Sequence, residues 1–512
     1  MQIFLTIFWF FLVSFAISCV PQIPRSDASV LNLLRAVTEG NSNSLQSTAS
    51  TTPSNSSASL TISYPLSQYV FLVSTAIPTL NPTVNQTVTS CSVTPSLPTG
   101  LTLNASTCTI TGTPTAQTAR ASYTVTASSA SGNATTSVSI RISNTSAIAV
   151  IGQAGSFITS NLGATADNTL NQPSSVRADS SGNLAVSDFG NRRILYYTQA
   201  NISAGISPGI DIRATRVYGQ QLSFTCSASF NDYTGTCTNG TANANNMASP
   251  QSVFLDNSGN IFAEAGNRVL VFSSNASLAA TRVYGQLTST NFTSSTANNG
   301  GTVTANTVSN VQQTALDSSG GLYLCDSSNN RVLYYPSGST TASRVYGQPD
   351  FSSSTANNGG ISANSLSNPT GVALDSNGNV YIADQNNNRI LRYTGTDTNA
   401  TTVYGQANFT TSATGVTATT LNTPWMLAID RSDNLFVTDY GNRRVLVFPS
   451  GSTTAARVYG QGSFTCGLAN TNGSCATTGV TANGLNNPRG VSVDAFGNVY
   501  IADTGNNRIL IY

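Results

Sequence analysis

The chain has 512 residues, but only 8% of them are charged, and 21 basic against 20 acidic residues leave a formal net charge of +1. Every basic residue is Arg and His is absent, which excludes the usual imidazole base, imidazole zinc ligands and Lys Schiff-base chemistry. Carboxylate chemistry and a calcium site of oxygen ligands stay open. The balanced charge predicts no attraction to nucleic acid or anionic lipid.

The N-terminal stretch MQIFLTIFWFFLVSFAISC is apolar and carries no charge before Cys19. It resembles a bacterial lipoprotein signal with AISC as a relaxed lipobox. This resemblance implies a signal peptide over residues 1–18 and lipidation of Cys19. The positive charges usual at the start of a signal are absent. An ordinary cleaved signal, or an uncut anchor just long enough to span a membrane, are the alternatives.

Residues 19–59 contain the low-complexity run SNSLQSTASTTPSNSSAS, which has almost no large apolar side chains. Such a segment buries too little surface to offset the entropy of its chain, so it predicts a flexible tether. The tether is expected to hold the folded part of the protein away from the membrane.

Residues 60–143 contain short runs with apolar side chains at every second position, among them YVFLV, ASYTVTAS and TTSVSIRIS. This alternation is typical of the half-buried strands of a β-sandwich. The stretch LPTGLTLNASTCTITGTPT resembles the signature of the Ig-like (cadherin-like) domains of bacterial surface proteins. Cys108 stands where that family often has Gly. We expect it to be bonded to Cys91, since unpaired thiols are unusual in an oxidising compartment.

One short strand sequence recurs through the rest of the chain. RVYGQ begins at residues 216, 282, 344 and 457, TVYGQ at 402 and AVIGQ at 149. A longer module also recurs, and its clearest copy is LNNPRGVSVDAFGNVYIADTGNNRILIY. Each module predicts three strands, the first two joined by an Asp-x-x-Gly turn in which Gly supplies a positive φ. Asp433 replaces this Gly in the fifth copy.

With VxGQ as the fourth strand, the six modules predict an all-β fold dominated by a β-propeller. The phrase NPxGVxxD…GNVYIADxxNNRI resembles the NHL repeat, which implies a six-bladed propeller over residues 147–512. The last module lacks a fourth strand. The surplus N-terminal strand AVIGQ is therefore predicted to pair with NRILIY and close the ring, because an open ring would expose strand edges.

Two columns of charged residues recur in the modules. The second strands end in Asp188, Glu264, Asp326, Asp384, Asp439 and Asp503, and the third strands begin with Arg193, Arg268, Arg331, Arg389, Arg444 and Arg508. Catalytic carboxylates or calcium ligands are one interpretation. A feature present in every blade instead favours a scaffold in which acid and Arg brace each turn. No metal site or cofactor is predicted.

Strand parity places all the variable blade-to-blade loops on one face, around the mouth of the central channel, and long loops of this kind are often functional. Next to the mouth, one position varies while its neighbours repeat, which makes it a candidate ligand contact: Ser174, Gln251, Gln312, Thr370, Trp425 and Arg489. Trp and Arg are enriched in binding hot spots. The alternative is that these side chains only fill and line the channel.

The remaining cysteines fall in the two longest loops and in one strand. We predict that Cys226 pairs with Cys237, and Cys466 with Cys475, each bond contributing roughly 2–3 kcal/mol by closing a short loop. Cys325 is expected to be a buried small hydrophobic residue.

These patterns favour a non-enzymatic lipoprotein of the bacterial cell envelope, anchored at the outer membrane, which binds a protein or glycan through the loop face of a monomeric propeller. NHL propellers commonly act as interaction platforms. The alternative is a calcium-dependent, lactonase-like hydrolase, because some related six-bladed propellers hold a metal in the channel. Lyase-type zinc sites need His, which is absent. Nucleic-acid binding, known for some NHL domains, is disfavoured by the balanced charge.

Overall fold

The computed structural model describes residues 59–206, 210–220, 223–229, 237–274, 278–471 and 475–512. The predicted signal peptide, the predicted lipidation site Cys19 and all but the last residue of the predicted tether lie outside these residues. Nearly all regular structure in the described part is β-strand. No helix in the described part is long and apolar enough to cross a membrane.

The first strands form the Ig-like domain. They are β1 (Ile62–Ser63), β2 (Gln68–Leu72), β3 (Thr83–Val84), β4 (Ser90–Thr94), β5 (Leu101–Leu103), β6 (Ile110–Gly112), β7 (Thr118–Ser129) and β8 (Gly132–Ser143). The main sheet has the order β2-β8-β7-β4, and β1-β3 and β5-β6 form two small sheets. Val125, Val138 and Ile140 are fully buried in the core. The predicted disulfide between Cys91 and Cys108 joins β4 to the turn between β5 and β6.

Six four-stranded sheets, the blades of a propeller, make up the rest of the described chain. Their strands are β9 (Ala149–Ile151), β10 (Pro173–Ala178), β11 (Leu184–Asp188), β12 (Arg193–Tyr197), β13 (Arg216–Tyr218), β14 (Pro250–Leu255), β15 (Ile261–Ala265), β16 (Val269–Phe272), β17 (Arg282–Tyr284), β18 (Val311–Leu316), β19 (Leu322–Asp326), β20 (Arg331–Tyr335), β21 (Arg344–Tyr346), β22 (Pro369–Leu374), β23 (Val380–Asp384), β24 (Arg389–Tyr393), β25 (Ala400–Tyr404), β26 (Pro424–Ile429), β27 (Leu435–Asp439), β28 (Arg444–Phe448), β29 (Arg457–Tyr459), β30 (Pro488–Val493), β31 (Val499–Asp503) and β32 (Arg508–Ile511). Blades 1 to 5 each take four consecutive strands from β10 to β29.

Among the described residues, helical structure is confined to short connections. One α-helix, α1 (Gln199–Ala204), links β12 to β13, and its N-cap Thr198 accepts a hydrogen bond from the Asn201 amide. The 3₁₀ turns are Phe189–Asn191, Ala297–Gly300, Ser327–Asn329, Ala356–Gly359, Gln385–Asn387, Tyr440–Asn442 and Thr504–Asn506.

The sixth blade is assembled from both ends of the propeller segment, in the order β30-β31-β32-β9. In the β32–β9 pair, Ile509 lies opposite Ile151, which is the pairing that the sequence predicts for AVIGQ. Blades 6 and 1 also contact each other through their inner strands β30 and β10. The Thr504 hydroxyl donates to the Pro173 carbonyl at 2.7 Å across this junction.

Glycine recurs in VxGQ because a side chain there would collide with the next module. In blade 3, Gly347 has φ of +86°, and a Cβ on it would come within 2.6 Å of the Leu366 side chain. Leu366 is fully buried as the first residue of the following module. The close approach locks the end of one blade against the start of the next.

The Ig-like domain packs against blades 5 and 6 on the side of the propeller opposite the blade-to-blade loops. Arg141 in β8 donates from Nη2 to the Asn498 side-chain carbonyl at 3.1 Å and to the Tyr512 main-chain carbonyl at 3.0 Å. Burial lowers the pKa of Arg141 to about 10. A largely apolar cavity of about 510 Å³ lies beside this contact, between β2 and the hairpin turns of the two blades.

Candidate binding face

The recurrent Arg at the start of each third strand is completely buried in all six blades. In five blades its Nε donates to the acid that ends the second strand: the distance is 2.6 Å from Arg193 to Asp188 and 2.7 Å in blades 3 to 6. Burial raises the pKa of these carboxyl groups, and the adjacent guanidinium opposes that rise. The predicted scaffold role of the acid–Arg pair is therefore confirmed in these five blades.

The same Arg also fastens the loops on both sides of its blade. In blade 3, Arg331 donates from Nη1 to the Phe351 carbonyl at 2.5 Å, at the start of the outgoing loop. Its Nη2 donates to the carbonyls of Thr304 and Thr307 in the incoming loop, at 2.8 and 2.9 Å. An equivalent Phe carbonyl accepts from Nη1 in every blade: Phe157, Phe224, Phe292, Phe351, Phe409 and Phe464.

The Gln of each VxGQ strand fixes the outgoing loop a second time. In blade 3, Gln348 donates from Nε2 to the Asn330 carbonyl at 3.0 Å and to the Thr355 carbonyl at 2.9 Å. The corresponding residues in the other blades bond in the same way: Gln153, Gln220, Gln286, Gln406 and Gln461. The same hydrogen bonds thus hold the base of every outgoing loop, and only the residues at the loop tips are free to differ.

The residue just before the buried Arg distinguishes the two disulfide loops from the others. In blade 3 it is Asn330, which adopts a left-handed conformation with φ of +55° and accepts from the Asn368 amide of blade 4 at 2.8 Å. In blades 1 and 5 it is Arg192 and Arg443, with φ of +57° and +54°. Each of these donates from Nη1 to the carbonyl that follows the first cysteine of a disulfide, Ser227 at 2.7 Å and Gly467 at 3.1 Å.

The predicted loop disulfides, Cys226–Cys237 and Cys466–Cys475, are both present. Each belongs to the loop that leaves one of these two blades. Cys325 is free and buried, as expected, and burial raises the pKa of its thiol far above the usual range.

Three of the six predicted contact residues are buried. Ser174 and Thr370 are almost fully buried, and their hydroxyls donate to the carbonyls of Pro250 and Pro424, both at 3.2 Å. They therefore tie each inner strand to the next one. Gln312 is also buried and donates to the Asn310 side chain at 3.0 Å. Gln251 is partly buried.

The other two contact residues come together across the junction of blades 5 and 6. The Arg489 guanidinium lies 4.8 Å from the centre of the Trp425 ring and 5.9 Å from that of Tyr440. The two aromatic rings are 5.1 Å apart and inclined by 48°. All three side chains are partly exposed. The indole Nε1 of Trp425 and the Nε of Arg489 are buried atoms without a hydrogen-bond partner among the described residues.

Sequence reasoning missed Tyr440, although its position carries a signal. It directly follows the recurrent acid, at a place that also varies from blade to blade: Phe189, Ala265, Ser327, Gln385, Tyr440 and Thr504. The second strand ends at the same face as the loops, so this position adds a further set of side chains to the channel mouth.

Below the mouth, the channel is crossed by a side chain that the sequence did not single out. Gln313 donates from Nε2 to the Leu427 carbonyl of blade 5 at 2.8 Å. Its Oε1 accepts from the amides of Val372 in blade 4 and Leu427, at 3.1 and 3.0 Å. A polar side chain from blade 3 therefore links three inner strands within the channel.

Glu264 departs from the acid–Arg pattern in blade 2. It is fully buried and accepts a short hydrogen bond from the Thr314 hydroxyl, while its Oε2 has no partner among the described residues. Burial raises its pKa to about 8, against the opposing effects of Thr314 and of Arg177. Arg177 lies over the Phe254 ring at 4.3 Å, and burial lowers its pKa to about 10.

Comparison with known families identifies both parts of the fold. The NHL repeat family matches residues 366–393 and 485–512, which are modules of blades 4 and 6. The chain carries NHL repeats. The family described as "Putative Ig domain" matches residues 47–145, which include the sandwich and extend beyond the predicted start at residue 60. Among the residues described here, no three His, Cys, Asp or Glu side chains lie close enough to hold a metal ion.

Several solved structures are similar to this chain at low identity. A structural genomics protein of unknown function from Bacteroides thetaiotaomicron VPI-5482 is 12% identical, with a TM-score of 0.47 over 89% of this chain and 98% of that one. A streptogramin B lyase is 12% identical, with a TM-score of 0.39 over 69% and 95%. Virginiamycin B lyase from Staphylococcus aureus is 10% identical, with a TM-score of 0.37 over 66% and 94%. Similarity at this level says nothing about activity, and no curated protein matches the NHL-repeat chain.

Proposed function

We propose that the chain is an exported, non-enzymatic binding protein that engages its partner through the loop-bearing face of the propeller. Three disulfides are typical of proteins that mature in an oxidising compartment. The repeated Arg and Gln anchors hold the loop bases rigidly while the tips vary, an arrangement that suits recognition.

The stacked Arg489, Trp425 and Tyr440 carry this proposal. They are partly exposed at the channel mouth, although the Nε1 atom of Trp425 and the Nε atom of Arg489 are themselves buried. Aromatic and Arg side chains in such settings supply much of the free energy of binding in known interfaces. Five of the six recurrent acids, in contrast, are engaged in the scaffold.

Capture experiments with the chain from residue 20 onward test the proposal. We expect Trp425→Ala to abolish capture of a partner from an envelope extract. Ile210→Ala, an exposed change in the connection between the third and fourth strands of blade 1, should leave capture intact. Equal capture by both variants would show that the partner binds elsewhere. Trp425 is the sole Trp after residue 9, so its fluorescence should also change when a purified partner is added.

We further propose that a lipid on Cys19 anchors the protein to the envelope, on the basis of the N-terminal sequence alone. Growth with labelled palmitate should label the wild-type chain and not Cys19→Ala. The Cys19→Ala chain should also leave the membrane fraction. Unchanged processing and membrane association of this variant would refute lipidation and favour an ordinary signal or an uncut anchor.

A further inference from the structure

The exposed large hydrophobic side chains of the described residues are unevenly placed. Four of the five lie in blade-to-blade loops: Ile158, Leu162, Leu287 and Leu468, whereas Ile210 lies in a connection on the other face. Ile158 and Leu162 belong to the loop from blade 6 to blade 1, and Leu468 to the preceding loop. Three exposed aliphatic side chains thus fall in two consecutive loops, on either side of the blade that carries Arg489.

The backbone beside these side chains is held firmly. Ile158 follows Phe157, whose carbonyl accepts from Arg508 at 2.6 Å. Leu162 follows Asn161, whose carbonyl accepts from Gln153 at 2.9 Å. The Leu468 carbonyl itself accepts from Gln461 at 2.7 Å. An apolar side chain on a fixed backbone loses little conformational entropy when a partner covers it.

Charge on this part of the face is mostly positive. From Tyr440 to Val493 the chain has four Arg and no Asp or Glu. Arg444 is buried in an ion pair, whereas Arg443 and Arg489 are partly exposed on the loop side. The loop from blade 6 to blade 1 contains one acid, Asp167, which is ion-paired with Arg213 at 3.0 Å. The sector is therefore basic and complementary to an anionic partner.

We infer that Ile158, Leu162, Trp425, Arg443, Leu468 and Arg489 form one docking sector, which takes an acidic peptide segment with apolar side chains. This inference rests on the proposed function and specifies its partner. A carboxylate fits Arg489 and Arg443, and apolar peptide side chains fit Trp425 and the exposed aliphatic groups. An acidic glycan would satisfy the Arg and aromatic side chains, but its hydroxyl-bearing rings would leave the Leu and Ile surfaces without an apolar partner.

Selection of a random linear peptide library on phage, with the exported chain from residue 20 as bait, tests this inference. We expect the selected peptides to combine Asp or Glu with Leu, Ile or Phe. Arg489→Gln should weaken them on the order of tenfold and Leu468→Asn about fivefold, as for residues at the centre and border of an interface. Leu287→Asn is the matched control: Leu287 and Leu468 are both 49% exposed, but Leu287 lies in the loop from blade 2 to blade 3. It should change affinity less than about twofold.

The inference would be overturned by a selection that yields no peptides, by peptides without an acidic bias, or by equal effects of Leu468→Asn and Leu287→Asn. Oligogalacturonate serves as the acidic-glycan arm, and preferential binding of this glycan would also overturn it. If Trp425→Ala abolished glycan binding, the proposed binding face would stand and only the peptide partner would fall. If a selected ligand bound equally to wild type, Trp425→Ala and Leu468→Asn, both proposals would fall.

Discussion

Ile151 lies directly opposite Ile509, so a residue from the start of the propeller segment completes the blade at its end. Both side chains are fully buried in one core cluster with β10 to β12. Ile151→Ala should lower the free energy of unfolding by about 2–4 kcal/mol, through lost burial and a residual cavity. Ile158→Ala is the control, because that side chain is 76% exposed and its loss should cost less than about 0.5 kcal/mol. Equal urea midpoints for the two variants would contradict the role of β9.

The buried acid–Arg pair should be much more sensitive to substitution than an exposed Arg on the same strand. Arg389→Gln leaves Asp384 buried without its cation and should cost roughly 3–5 kcal/mol. Arg392→Gln, three residues later, removes a partly exposed Arg 3.9 Å from Asp375 and should cost less than about 1 kcal/mol. Chemical denaturation of both variants measures the difference. Asp384→Asn in the Arg389→Gln background should restore part of the loss if the uncompensated carboxylate is the cause.

Glu264 should make stability fall as pH rises. Its pKa is raised from 4.5 to about 8 in the folded chain, so between these values the folded state holds a proton that the unfolded state has released. The free energy of unfolding then decreases by up to roughly 1.4 kcal/mol per pH unit from this group and levels off above its folded pKa. Glu264→Gln should reduce that slope in denaturation curves between pH 5 and pH 8.5. An unchanged slope would show that Glu264 is ionised in the folded protein.

Arg141 should couple the Ig-like domain to the propeller. Arg141→Ala removes both hydrogen bonds to the sixth blade, so we expect the thermal transition of the Ig-like domain to separate from that of the propeller in calorimetry. Thr124→Ala changes an exposed side chain in β7 of the same domain and should preserve the wild-type trace. A single cooperative transition in Arg141→Ala would mean that apolar packing alone joins the two parts.

The Cys466–Cys475 bond should stabilise the loop that bears Leu468. Replacing both cysteines by Ser should lower the free energy of unfolding by about 2–3 kcal/mol, as expected for a short closed loop. Cys325→Ser is the comparison variant, because Cys325 is buried but forms no disulfide and so closes no loop.

The buried thiol of Cys325 should resist thiol reagents in the wild-type protein until denaturant is added, since burial keeps it protonated. Labelling under native conditions would refute that placement.

The repeating features of the fold were predictable because they follow local rules. Strand alternation, the Asp-x-x-Gly turns and the pairing of AVIGQ with NRILIY depend on backbone conformation and on strand number. Asp433 takes the positive φ of the missing Gly, at +59°. The acid and Arg columns were also recognisable as scaffold, since they recur at fixed positions in every module.

The site was less predictable because its geometry depends on contacts between blades. A variable position next to the mouth gave no means of separating Ser174, which bonds to a neighbouring carbonyl, from Arg489, which stacks on Trp425. A register shift between Val311 and Thr314 accompanies the turn of Gln313 across the channel, and no pattern in the sequence marks it. The loop anchors were missed because Gln348 and its acceptor Thr355 are joined only in three dimensions.

The paired anchoring of every loop has a consequence for how this surface can change. Arg331 holds the incoming and the outgoing loop of its blade, and Gln348 holds the outgoing loop a second time. Both side chains donate to main-chain carbonyls, which every amino acid has. Residues could therefore be inserted into a loop between these anchored positions without altering the blades. The binding specificity of the propeller can therefore change one loop at a time, while the blades that carry the loops keep their structure.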